Sequence, residues 1–467
     1  MTTPDSVSCS QGSNGSVEAA DKDTEMMDVV EESPSKSIKK KKTEVCSPEW
    51  LKQYYSILFP FDLVHAWLSY GDDKHFSKRE FSFTLMNSQS EEIYMRYQSF
   101  FTKDEFKQAM CQRCPVKMDI GAVYNMYPKD KHSVPKDKFY TQERELVFDV
   151  DLTDYDGVRK CGCQGASFCS KCWPLMTMAM KVVNAALRDD FAFQNVAWFY
   201  SGRRGVHCWV SDQNARTLPN DARSAIASYL QIMLGTDTSA AEPLPSNLHP
   251  ALKRAYETLE PLFIENLLPE DGHGLLSTPH AWQGILATLP DTCIDIGKEM
   301  NDRWLKEEDT MNEEQRWDEL KQALRKKMPK LGSPKKKAKN LTSAEIREIK
   351  NWPIATVFQY TYPRLDVNVS KMQNHLLKTP FGIHPKTGRV CVYIPNIDDF
   401  DPFAVPTLSQ VLKELETQKG ETLSWKNTSL KESFSAFEKD ILKPLQKEQF
   451  RHAKQKREEQ AALIGDF

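Results

Sequence analysis

Glu145-Leu-Val-Phe-Asp149-Val-Asp151-Leu-Thr-Asp154 is the stretch around which the chain is organised. Leu146, Val147, Phe148, Val150 and Leu152 favour a strand, and the polar run 142–145 suits a loop leading into it. Alternate side chains of a strand share a face, so Asp149 and Asp151 point the same way. Phe148, Val150 and Leu152 point into apolar surroundings. Two carboxylates side by side on a strand otherwise suited to burial repel each other and are costly to desolvate. A divalent cation removes that cost, and Mg²⁺ or Mn²⁺ takes oxygen ligands of this kind together with substrate phosphates. An isolated Asp-x-Asp is common and reads as the wet end of a strand. Its company further along changes that reading.

The chain has 467 residues, enough for two or three domains or for one domain with a large insertion. Hydrophobic residues make up 40% and charged residues 27%, which suits a soluble globular enzyme with polar tails. The net charge of -3 gives no overall drive toward nucleic acid, so any such site must be a local basic patch. No apolar run is long enough to span a bilayer. Residues 1–46 are rich in Ser, Asp, Glu and Lys and read as a disordered tail without the apolar core of a signal peptide. The expectation is an intracellular protein whose 11 Cys are thiols or metal ligands. Lys36-Ser-Ile-Lys39-Lys-Lys-Lys42 reads equally as a nuclear localisation signal or as a solvated linker.

Residues 49–70 carry helical apolar spacing with a break at Pro60. Residues 79–85 and 93–100 alternate and predict a hairpin about the polar loop 87–92, with Glu80 and Arg96 unusual charges within its strands. Cys111-Gln-Arg-Cys114 alone reads as two surface thiols. Residues 119–124 predict another strand, followed by a Lys-rich loop to Lys138. Cys161-Gly-Cys163-Gln-Gly-Ala-Ser-Phe-Cys169-Ser-Lys-Cys172 is a stronger signal. Four thiolates so close suit a closed, structural Zn²⁺ site, with an iron–sulfur cluster as runner-up. Residues 173–190 predict a helix whose methionines pack the core.

The strands predicted at 196–200 and 208–210 flank Ser201-Gly-Arg203-Arg204-Gly-Val-His207. Glycines let backbone amides approach an anion, and Arg forks bind phosphate bidentately. Residues 214–350 read as a helical insertion ending in a basic, mobile loop at 325–339. Strand chemistry returns at 361–370, with Asp366 and Asn368 on one face. Asn374, His375 and Lys378 have helix-like spacing. Residues 381–389 form a turn into a strand at 390–394, and the chain after Pro406 alternates at helical spacing. There is no internal repeat and no Walker-type phosphate loop.

Three stretches, Phe148-Asp149-Val-Asp151, Ser201-Gly-Arg-Arg-Gly-Val-His207 and Arg364-Leu-Asp366, resemble in order and spacing the small catalytic subunits of eukaryotic DNA primases, in the archaeo-eukaryotic primase superfamily. The resemblance runs over residues 50–407. It implies an α+β fold: a mixed α/β primase catalytic core in two parts, 47–213 and 351–410. The helical subdomain 214–350 is inserted between them, the knuckle 161–172 lies within the first, and a helical tail, 411–467, follows. It implies RNA-primer synthesis on single-stranded DNA from ribonucleoside triphosphates, a nucleotidyl transfer. Asp149, Asp151 and Asp366 match the family's triad for Mg²⁺ or Mn²⁺. Ser201, Arg203, Arg204 and His207 match its triphosphate motif, with Lys378 and His384 contributing. Glu80, Arg96, Asp119 and His375 match further positions lining the nucleotide site. Cys161, Cys163, Cys169 and Cys172 match its Zn²⁺ knuckle, although Gly162 separates two cysteines that the family pattern has adjacent. Cys111 and Cys114 match no family role. The implied partners are the primase large subunit and DNA polymerase α, and the implied location is the nucleus. Readings from other classes are a non-catalytic nucleic-acid-binding scaffold and an end-joining or translesion polymerase of the same superfamily.

Overall fold

The structure, a computed structural model, describes residues 45–89, 91–231, 244–329, 341–418 and 422–465. The basic cluster at 36–42 and residues 330–340 of the basic loop lie outside them.

Two antiparallel sheets carry the site. The first contains β1 (Arg79–Met86), β2 (Glu92–Gln98), β3 (Lys117–Tyr124) and β4 (Thr141–Glu143) in the order β2-β1-β3-β4. The second contains β5 (Leu146–Asp151), β6 (Val196–Tyr200) and β7 (Gly205–Val210) in the order β5-β7-β6. A late strand, β8 (Leu377–Lys378), returns to the first sheet and pairs with β3. The strands form where β-branched and aromatic residues dominate. β6 and β7 are buried along their whole length, so they read as continuous apolar runs rather than alternating ones.

Helices close the faces. Helix Pro48–Gln53, its π-turn continuation Tyr54–Leu58 and helix Phe61–Ser69 match the amphipathic pattern at 49–70, with the break at Pro60. Trp67 from this layer meets Phe199, Trp209 and Phe437 at centroid distances of 6.2, 5.4 and 5.6 Å. Helix Pro174–Ala185 buries Met176, Met178 and Met180, so its methionines are core. Between β7 and β8 every element among the described residues is helical. After Pro406 the pattern is helical as well, but Phe434, Phe437 and Leu442 are buried, and Phe437 packs on the β6 residue Phe199 at 5.6 Å.

Five local expectations change. Of the run 142–145 expected as a loop, residues 142–143 lie in β4, and Arg144 and Glu145 form a short link to β5 that is buried. Glu145 is fully buried and accepts hydrogen bonds from Arg79 Nη1 and Nη2, both at 2.8 Å, from Arg144 Nη1 at 3.1 Å and from Tyr70 Oη at 2.6 Å. Burial opposes its ionisation, yet Arg79 and Arg144 hold the carboxyl well below the usual range. Residues 361–370 are not a strand. Helix Ser343–Thr361 ends there, and Asp366 caps the short helix Val367–Lys371 by accepting from the Asn368 N–H at 3.0 Å. A capping carboxylate competes successfully with the strand preference of Val367 and Val369. Residues 372–378 are a turn and β8 rather than a helix. Residues 390–394 are extended but joined only by isolated bridges, among them Phe199 to Tyr393. Arg325, Lys326 and Lys327 belong to helix Glu313–Lys327, not to a loop.

Candidate active site

β5 presents Asp149 and Asp151 on one face, and β7 lies beside it with His207 opposite Asp149 and Gly205 opposite Asp151. Gly205 is required at that register, because a Cβ there would stand 2.6 Å from the Val150 carbonyl oxygen. Asp366, more than two hundred positions along the chain, reaches the same place through its backbone. Its N–H donates to the Asp149 carbonyl at 3.1 Å, and Ser370 Oγ donates to the Val147 carbonyl at 2.6 Å. These two bonds dock the short helix on β5 much as an added strand would. The three carboxylates line an open cleft of about 430 Å³ with Thr153, Asp154 and Asn368. Burial, then the charges of Asp151 and Asp366, push Asp149 up to about 7, while Lys378 pulls the other way. Such crowding of like charge is what a divalent cation would relieve, and an all-carboxylate donor set suits Mg²⁺ or Mn²⁺.

Cations face these carboxylates. Arg204 Nε donates to Asp151 Oδ1 at 2.7 Å, and Thr153 donates to the same oxygen from its N–H at 2.9 Å and its hydroxyl at 2.8 Å. The turn holding Arg203 and Arg204 is shaped by Gly202, at φ +89, where a Cβ would lie 2.7 Å from that of His384. Ser201 Oγ accepts from the Gly205 N–H at 3.2 Å, and the Ser201 carbonyl accepts from Lys378 Nζ. His207 is not at a strand end. It lies within β7, with Nε2 3.5 Å from Asp149 Oδ1. Burial and the fields of Lys378 and Lys117 lower it to about 3, so the imidazole is neutral at pH 7. Burial, with Lys378, Arg203, Lys386 and Arg204 around it, lowers His384 to about 2. The charge available to an anion here therefore comes from the arginines and Lys378, and the histidines offer neutral hydrogen-bonding groups.

The first sheet supplies the other wall. Lys378 on β8 pairs with Asp119 on β3 within the first sheet, and its Nζ donates to the Ser201 carbonyl at the end of the second sheet's β6. Asp119 is buried, accepts from Ser82 Oγ at 2.9 Å and has Lys117 Nζ 3.7 Å away. Glu80, fully buried, accepts from Arg96 Nε at 3.0 Å and Tyr124 Oη at 3.0 Å. Arg96 Nη2 also donates to the Asn374 carbonyl at 3.4 Å, beside His375. Burial lowers the His375 imidazole as well. Glu80 and Arg96 thus satisfy each other, at one remove from the three aspartates.

A family model described as DNA primase small subunit matches residues 148–395, more than half the chain. The chain belongs to the DNA primase small subunit family. A DNA primase small subunit of Drosophila melanogaster is 39% identical over 377 residues, 79% of this chain and 81% of that protein. One of Saccharomyces cerevisiae is 34% identical over 405 residues, 86% of this chain and 94% of that protein. The archaeal DNA primase small subunit PriS of Methanobrevibacter smithii is 24% identical over 341 residues, 71% and 89% of the two chains. The family match spans both carboxylate-bearing segments of this chain and the cysteine cluster between them.

That cluster could hold a metal ion. Ligand atoms of Cys161, Cys163, Cys169 and Cys172 all lie within 4.8 Å of one another. Cys169 Sγ and Cys172 Sγ are 3.8 Å apart. A tetrahedron with Zn–S bonds of about 2.3 Å has edges of about 3.8 Å, so the donors fit Zn²⁺. Gly162 at φ +85 and Gly165 at φ +52 turn the chain so that both thiols of the Cys-Gly-Cys stretch face the others. Arg159 Nη1 donates to Cys172 Sγ at 3.8 Å, a cation beside a future thiolate. Cys111 and Cys114, at the end of helix Lys103–Arg113, are half-buried and stand outside this group.

Several groups of the site lie outside the motifs. Thr153 and Lys117 were legible: each is two positions from a singled-out aspartate, and period-two alternation places Lys117 on the face of Asp119. The Arg79–Glu145–Arg144 network was not legible, because it joins β1 to the entrance of β5 across the fold.

Proposed function

We propose that this chain is the catalytic subunit of a DNA primase and joins ribonucleotides on single-stranded DNA by two-metal nucleotidyl transfer. Membership of the primase small subunit family supports primase function and a nucleotidyltransferase-type enzyme. The observation that carries the finer reading is the docking of Asp366 on the strand of Asp149 and Asp151, with Arg204 bonded to Asp151 and Lys378 near Asp149. Asp149, Asp151 and Asp366 would hold Mg²⁺ or Mn²⁺, which would lower the pKa of an attacking primer hydroxyl and neutralise charge on the departing pyrophosphate. Arg204 leaves Asp151 to grip a phosphate, helped by Arg203 and Lys378. Ser201 holds the turn that presents both arginines, and neutral His207 and His384 complete the hydrogen bonds without adding charge. Asp119, Glu80, Arg96 and His375 keep the nucleotide side of the cleft in register. Catalysis on this reading is positioning and electrostatic stabilisation rather than covalent chemistry.

We read residues 214–350 as an insertion that separates the two carboxylate-bearing parts of the core, 47–213 and 351–410. The knuckle 161–172 is read as a structural Zn²⁺ site. Relatives named as the small subunit of a primase support a large-subunit partner. Assembly with DNA polymerase α and a nuclear location, through the basic cluster at 36–42, complete the proposal. No described helix is long and apolar enough to cross a membrane. The test is incorporation of labelled ribonucleotide on a poly-pyrimidine single strand, with Mn²⁺ or Mg²⁺, with and without the large subunit. Asp366→Ala should leave folding intact and cut the chemical step by several orders of magnitude. Primer synthesis by that variant at a near-normal rate would overturn the three-carboxylate reading.

A further inference from the structure

β2 carries a defect beside Glu80 that the nucleotide site does not explain. Phe83 of β1 faces Met95, but Phe81 faces Gln98, so β2 contains one extra residue at Arg96–Tyr97. This is a β-bulge, which re-aims side chains at a sheet edge. Tyr97 sits at φ +58, in the left-handed region that bulky residues avoid. It is kept there by buried Glu80, whose Oε1 accepts from the Tyr97 N–H at 3.2 Å. Strain held by a buried carboxylate marks functional surfaces more often than incidental ones.

The surface around Tyr97 alternates aromatic rings with lysines. Lys131 Nζ lies 3.6 Å from the Tyr97 centroid, and Lys129 Nζ lies 3.7 Å from that of Phe101. Phe101 meets Tyr127 edge-on at 4.9 Å, and Tyr140 is 57% exposed. The segment is pre-shaped by Asn125. Its N–H donates to the Tyr140 carbonyl at 3.1 Å, its Oδ1 accepts from the Tyr140 N–H at 3.1 Å, and its Nδ2 donates to the Lys138 carbonyl at 2.9 Å. Residues 127–140 hold Lys129, Lys131, Lys136 and Lys138 against Asp130 and Asp137, a local positive balance on a chain of net charge -3.

We propose that this strip is a track for single-stranded nucleic acid, leading a template strand toward the cleft; it rests on the primase reading above. A mononucleotide needs one platform and one cation cluster. Several rings spaced between ammonium groups match a strand whose bases stack while its phosphates are neutralised. A duplex would hide its base faces from these rings. In the free protein the lysines cover the rings, and base stacking is the stronger of the two contacts at an exposed site, so a strand displaces the ammonium groups toward its phosphates. The strip joins the nucleotide wall through Glu80, which bonds both Arg96 and the Tyr97 backbone.

The test is fluorescence anisotropy of a labelled deoxythymidine oligonucleotide with the full chain, in metal-free buffer across a salt series. This reading is independent of catalysis, so a failed activity test and a failed track are distinguishable. Lys129→Glu with Lys131→Glu should weaken binding at least tenfold, and the log–log salt slope should fall by about 1.4, at roughly 0.7 per phosphate contact on a single strand. Tyr97→Gly, which suits the positive φ and removes the ring, should weaken it fivefold or more. Nucleoside triphosphate affinity should stay within twofold, as should oligonucleotide affinity of the control Lys253→Glu with Lys298→Glu. A 5-bromodeoxyuridine oligonucleotide should photo-cross-link to residues 92–101 or 125–140. Wild-type affinity and salt slope in the lysine variant, cross-links confined to other segments, or no measurable binding by the wild type would each overturn the proposal.

Discussion

Replacing Asp149 by Asn tests the electrostatics of the cleft more directly than loss of activity does. The carboxyl is raised from an ordinary 3.8 to about 7 by burial and by Asp151 and Asp366. Because the folded value lies above the unfolded one, the protonated carboxyl contributes stability at low pH, and that contribution is lost as pH rises from about 4 through about 7. Above pH 7 the folded chain carries a charge that it disfavours. At about 1.4 kcal/mol for each tenfold change in proton affinity, the interval sets a ceiling of roughly 4 kcal/mol. The side chain keeps 29% exposure, and water screening reduces the effect to on the order of 1–2 kcal/mol. Because Asp149 titrates together with its neighbours, the curve belongs to the cluster. Asp149→Asn should therefore melt about 1–4 °C above wild type at pH 8 in EDTA, given about 1–2 °C per kcal/mol for a chain this long. The difference should shrink as pH falls and approach zero only near pH 4. Mn²⁺ should raise the wild-type melting temperature and leave the variant nearly unmoved, since a ligand stabilises only the form that binds it. Scanning calorimetry at several pH values reads all three. A variant less stable than wild type at pH 8 in EDTA, or equally stabilised by Mn²⁺, would refute the reasoning.

Other outcomes follow from the same geometry. Glu145→Gln leaves Arg79 and Arg144 buried without their counter-charge and should cost about 3–5 kcal/mol in urea unfolding; a loss under about 1 kcal/mol would show that the network is dispensable. Arg204→Ala should weaken nucleoside triphosphate binding by roughly 1.5–3 kcal/mol in calorimetry, with single-stranded DNA binding little changed; the reverse pattern would make the turn a DNA contact. The purified chain should contain about one Zn²⁺ by elemental analysis, and Cys169→Ser should lower soluble yield and melting temperature more than nucleotide affinity; a stable, zinc-free and active protein, or iron in place of zinc, would remove that site.

Local patterns were enough for much of this chain. Alternation along residues 145–154 puts Asp149 and Asp151 on one face whatever the rest of the fold does, because the strand repeat is two residues. The Ser201–His207 turn and the four clustered cysteines were legible for the same reason: their chemistry lies within a dozen positions, and glycines mark where the backbone must bend. The hairpin of β1 and β2 followed from two alternating runs and a polar loop. Tertiary structure decided the rest. Val367 and Val369 favour a strand locally, but the segment caps and coils because Asp366 satisfies its own helix end and its N–H finds the Asp149 carbonyl. Glu145 looked like a loop residue because a carboxylate is costly to bury alone, and only the fold brings Arg79, Arg144 and Tyr70 to it. The neutral state of His207 and the raised Asp149 depend on burial and on charges that arrive from β3, β8 and the segment at 366. Through-space fields of this kind leave no periodic trace along a chain, so they become visible only when distant residues are brought within a few ångströms.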